Sequence, residues 1–78
     1  MARYFFHLYD STQTPDDDGI ELANMTAARD HATRGLRDTV GHQAFDGILH
    51  MNQRIEIADH GGQVLGIVHF ADAMEIVG

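Results

Sequence analysis

The sequence contains no cysteine, no lysine and no tryptophan, and it has one proline and one serine. Each absence removes a class of chemistry. Without thiols there is neither a disulfide staple nor a thiolate zinc site. Without cysteine or lysine, and with Ser11 set in a polar loop that is no nucleophile elbow, the familiar nucleophilic mechanisms have no residues to use. Five arginines against twelve acids give a net charge of −7, the wrong sign for a surface that releases counterions from a phosphate backbone. Three of those arginines, Arg29, Arg34 and Arg37, share a predicted helix with Asp30 and Asp38, the pattern of a solvated mixed-charge face. Glycine-rich dinucleotide and phosphate loops are also missing, since Gly61-Gly62 belongs to a hairpin. No apolar run is long enough to span a bilayer, and no basic-then-apolar leader precedes the first element. These features predict a cytoplasmic, non-enzymatic protein without a cofactor, one that binds neither nucleic acid nor membrane.

What is present points to a single α+β domain over residues 1–78. A domain of this size buries only about 60% of the surface its unfolded chain exposes, so with disulfides and thiolate zinc excluded, oligomerisation is the favoured remedy for a thin core. Residues Arg3 to Tyr9 are aromatic-rich and read as a strand, with Tyr4, Phe6 and Leu8 on one face and Arg3, Phe5, His7 and Tyr9 on the other. Pro15 and the Asp16-Asp17-Asp18-Gly19 run mark a turn, after which Gly19 to Leu22 returns as a short second strand. Asn24 is a good N-cap for a helix whose apolar stripe is Met25, Ala28, Ala32, Leu36 and Val40. Its end falls at Gly41 or at Asp46-Gly47, and Gly35 weakens its middle. Gln53 to Ala58 alternates as a half-buried strand, Asp59-His60-Gly61-Gly62 is a hairpin turn, and Gln63 to Phe70 is the returning strand. The tail from Ala71 suits either a helical turn or a short strand. The expected architecture is a small antiparallel sheet of three to four strands, in the order β-β-α-β-β, with one main helix packed on one face.

One helix covers only one face of such a sheet. Phe5, Tyr9, Leu65 and Ile67 then form an uncovered apolar face, the predicted interface of a homodimer or of a complex with another protein. The competing arrangement folds the tail over that face. A second site is suggested by His7 and His69, which fall on faces of the same type and would make a two-histidine metal or ligand site if their strands were neighbours. The acidic run is not a calcium loop: with Gly19 in the glycine position, Thr14 stands first and Met25 replaces the bidentate glutamate. His31 and His42 are not spaced as a helical metal pair, and His42 follows Asp38 by four residues near the helix end, where a cation is favoured. Protonating all six histidines would carry the formal charge from −7 to −1, so association is expected to respond to mildly acidic pH.

Several ordered segments carry a resemblance: Arg3-Tyr-Phe-Phe-His-Leu8, the Asp-Asp-Gly-Ile-Glu-Leu22 element, Ala27-Ala28-Arg29, and Arg54-Ile-Glu-Ile57 followed by an acidic glycine turn and Val64-Leu65. Together they resemble a family of short bacterial proteins that form a domain of unknown function. The resemblance implies an α+β fold and brings no catalytic residues with it. The strand–helix order and acidity are also loosely similar to small antitoxin domains that neutralise RNA-cleaving toxins, which would make the chain a partner-binding inhibitor.

Overall fold

Aromatic residues at the N-terminus favour extended backbone, and Ala2–Tyr9 forms β1. The structure, a computed structural model, describes residues 1–10 and 12–74. Along β1, Tyr4 is buried and Phe6 and Leu8 pack partly against the core, as the alternation predicts. The segment after β1 supplies two strands instead of one: β2 (Gln13–Thr14) and β3 (Ile20–Leu22). The short β2 pairs with Leu8 and Tyr9, and β3 pairs with Ala2, Arg3 and Tyr4, so both lie along the same side of β1.

Helix α1 (Met25–Asp46) begins where expected, with extended Asn24 accepting the Ala27 N–H on its side chain at 3.0 Å. Of the two candidate ends, the later is correct. Gly47 adopts a left-handed conformation (φ +85°), which only glycine takes without strain, and closes the helix through hydrogen bonds to Ala44 and Gln43. The alternative stop, Gly41, is an ordinary helical residue with open space where a side chain would go. Ala28, Ala32, Leu36 and Val40 are buried on the predicted stripe.

The other side of β1 pairs with β4 (Arg54–Ala58), and β4 pairs with β5 (Val64–His69), all antiparallel. The result is a five-stranded sheet ordered β2-β1-β4-β5, with β3 also on β1. Ile55, Ile57 and Val68 meet α1 from below, and with Tyr4, Ala28, Ala32 and Leu36 they make the core. The β4–β5 turn forms as expected, with Asp59 Oδ1 accepting the N–H groups of Gly61 and Gln63 at 2.9 Å. At its start β5 departs from simple alternation: Ile57 pairs with Gly66 while Ala58 pairs with Val64, so Leu65 is an extra, bulged residue.

Phe70 does not continue β5 but opens a short helix, α2 (Phe70–Ala73). It packs on the helix side of the sheet, where the Arg37 Nε–H donates to the Ala73 carbonyl at 2.6 Å and Ala73 joins the core. As far as Met74, therefore, the tail does not cover the opposite face, and the alternative short strand Glu75-Ile76-Val77 lies outside the described residues. A feature that periodicity missed is Gln53, a fully buried polar side chain. Its Nε2 donates to Gln43 Oε1 at 2.8 Å and to the His50 carbonyl at 2.6 Å, and the Gln53 backbone carbonyl accepts from Phe70 N–H. These bonds tie the end of α1, the approach to β4 and the start of α2 together.

Candidate functional site

The sheet face away from α1 is built from registered rows across β1, β4 and β5, the first being Phe5 opposite Ala58, which lies opposite Val64. His7 lies opposite Glu56, which lies opposite Ile67; Tyr9 lies opposite Arg54, which lies opposite His69. The predicted interface residues Phe5, Tyr9, Leu65 and Ile67 thus belong to one side of the sheet, but they do not form one apolar patch. Arg54 and Glu56 run down the middle on β4, joined by an ion pair at 3.2 Å.

On the β1 side the chain already covers its own rings. The Arg54 guanidinium lies over the Tyr9 ring, 4.5 Å from its centroid, and the Gln13 side chain donates to the Tyr9 hydroxyl at 2.9 Å. Phe5 packs against Gly19, where a β-carbon would come within 2.9 Å of the ring. Both rings are half-buried as a result. The β5 side is different: Val64, Leu65 and Ile67 are 45%, 41% and 37% exposed.

The histidine pair is not assembled. Because β4 lies between β1 and β5 and the two residues are offset by two register positions, strand geometry places their Cα atoms about 12 Å apart. His7 instead accepts the Asp16 N–H on Nδ1 at 3.0 Å, while the backbone N–H of His69 donates to Asp72 Oδ2 at 3.0 Å. Among the described residues no three histidine or carboxylate side chains converge as a metal cage.

His7 does line a shallow cleft of about 260 Å³ with Phe5, Asp16, Asp17, Asp59, His60 and Gly62. Two of its acids, Asp16 and Asp59, are committed to backbone. Asp16 Oδ2 accepts the Phe6 N–H at 3.1 Å, and Oδ1 accepts those of Gly19 and Asp18 at 3.1 and 3.2 Å. Partial burial pushes the Asp16 carboxyl up, but these N–H groups, with His7 nearby, outweigh it and hold the carboxyl below its ordinary value. The acidic run is therefore a turn that fastens itself to β1. His42 pairs with Asp38 at 3.7 Å as its spacing predicts, and His31 rests on the Phe6 ring with centroids 4.6 Å apart.

Sequence reasoning also missed a second apolar surface. Phe45, Ile48, Leu49 and Met51, at the end of α1 and in the connection to β4, are all exposed, Phe45 to 92%. The cluster Phe-Asp-Gly-Ile-Leu-His-Met would have been legible as an apolar run around a helix stop.

Compared with known families, residues 3–71 match the model of a domain of unknown function (DUF6894). The chain belongs to this family. Nothing matches it among curated proteins or solved structures. The DUF6894 match takes in all five strands, α1 and the start of α2, so the β5 surface and the acidic turn are both parts of the family domain. Among the described residues, no helix is long and apolar enough to cross a membrane.

Proposed function

We propose that this DUF6894 protein is a non-enzymatic interaction module that associates with a second copy of itself through the β5 side of its uncovered sheet face. The observation that carries this reading is the exposure of Val64, Leu65 and Ile67 on a strand of a small acidic domain. Apolar side chains grouped on one strand gain by leaving water, and a thin core gains by borrowing a second subunit. Leu65 and Ile67 are the centre of the interface; Phe5 and Tyr9, half-covered on β1 with β4 between them and β5, stand apart from it. The mixed-charge helix face and the net charge of −7 favour a protein partner over nucleic acid.

Light scattering after size exclusion tests this on the full chain at neutral pH and again near pH 5.5. We expect twice the 8.7 kDa chain mass at neutral pH, falling to one chain in Ile67→Lys. A wild-type protein of single-chain mass at both pH values would discard self-association and direct attention to a different protein partner.

A further inference from the structure

Backbone geometry decides which groups of β5 face outward. Phe70 N–H donates to the Gln53 carbonyl at 3.0 Å, one step beyond the Arg54–His69 register pair. Hydrogen-bonded pairs alternate along an antiparallel ladder, so Val68 and Gly66 turn their N–H and C=O groups to β4, and Ile67 and His69 turn theirs to the outer edge. The position of Asp72 agrees with this assignment: its Oδ2 accepts the His69 N–H from beyond the strand. Ile67 is left in the middle of the edge, and no strand among the described residues lies beyond β5.

We propose that β5 pairs antiparallel with β5 of a second copy about a two-fold axis at Ile67, so that one continuous sheet runs through both subunits. The proposal rests on the self-association reading above and specifies its geometry. In this register Ile67 N–H donates to the Ile67 carbonyl of the other copy, and the reverse bond completes the pair. The two Ile67 side chains meet on the uncovered face, and Leu65 lies across from His69 of the second copy. His69 keeps its N–H on Asp72 and so does not donate to the Leu65 carbonyl of the other copy; the Ile67 pair carries the register.

Composition argues for a second copy as the occupant. The strand Val64-Leu-Gly-Ile-Val-His69 carries no acid, arginine or proline, and from Gly66 to Val68 it has none of the devices that discourage edge pairing. In a chain of net charge −7, this uncharged strand is where two copies approach with least repulsion. An antiparallel two-fold also separates the two Asp72 carboxylates to opposite ends of the seam.

Amide exchange followed by NMR, together with light scattering, tests the arrangement on the full chain. In the dimer we expect the Ile67 amide to exchange at least about tenfold more slowly than in dilute, dissociated protein. Ile67→Pro removes that outward donor without touching the β4 ladder and is expected to give single-chain mass with an unchanged far-UV CD spectrum. Tyr9→Lys should leave the mass doubled. A doubled mass with a fast Ile67 amide, or a dimer that survives Ile67→Pro and fails with Tyr9→Lys, would overturn edge pairing and leave self-association through the face. A single-chain wild type would overturn both. If Ile67→Pro fails to fold, the exchange rate in the wild-type dimer decides alone.

Discussion

The two edges of the sheet are treated in opposite ways. Along β1 the chain lays β2 over one half and β3 over the other, and in the gap between them Asp16 accepts the Phe6 N–H that no strand residue reaches. That edge ends in strands of two and three residues, with Pro15 and three consecutive aspartates between them. Charge, proline and short strands all discourage another chain from adding there. Along β5 the only such devices among the described residues are a bulge at the start and the Asp72 contact at the end. A fold that could have blunted both edges blunts one, and this contrast is the reason we propose β5 as the side for a partner.

Unfastening the guarded edge is the strongest way to break this contrast. Gly19 has φ +67°, and a β-carbon there would lie 2.9 Å from both the Phe5 ring and the Tyr4 carbonyl oxygen. Gly19→Ala should therefore destabilise the fold by about 2–3 kcal/mol, measured by urea denaturation, because neither the backbone angle nor the main-chain neighbour can relax cheaply. Asp16→Ala should cost less, about 1–2 kcal/mol, by leaving the Phe6 N–H without its acceptor. If the guard works as described, it should also speed exchange at Phe6 before any global unfolding.

Acid offers a milder test of the same contact. The Asp16 carboxyl titrates below its ordinary value of 3.8 in the folded chain, so its contribution is complete above that pH and disappears as pH falls through the lower, folded value. Wild type and Asp16→Ala should therefore differ in melting temperature at pH 6 and differ less at a pH below 3.8. Equal differences at both pH values would mean that packing, not the carboxylate, holds the turn.

The smallest expected effect sharpens the comparison by leaving both edges alone. Gly41 sits in open space on α1, and a β-carbon at Gly35 would meet only the Ile55 side chain at an ordinary 3.9 Å. Gly41→Ala should stabilise by about 0.5–1 kcal/mol, seen as a raised melting temperature, with no change in mass or in Ile67 exchange. A change in mass would show that association depends on general stability instead of on β5.

Much of the fold was legible because its causes are local. Asn24 caps, the apolar stripe of α1 has helical spacing, and Asp59-His60-Gly61-Gly62 makes a turn whatever surrounds it. The short β2 was not legible, since a two-residue strand exists only because Leu8 and Tyr9 lie beside it. The placement of the predicted interface residues was half legible. Alternation put Phe5, Tyr9, Leu65 and Ile67 on one side of the sheet, but it contains no information on strand order, which set β4 and its Arg54–Glu56 pair between them. The same insertion of β4 separated His7 from His69.

The amino-acid sequence by itself determined the element types, the apolar face of α1, the acidic charge and the classes of chemistry without residues to perform them, because these depend on residue identity and near-neighbour spacing. Only the tertiary structure decided which rings cover themselves, that Asp16 stands in for a missing strand, and that Ile67 turns its backbone outward. Those outcomes follow from strand order and ladder register, which are set by contacts between residues far apart along the chain.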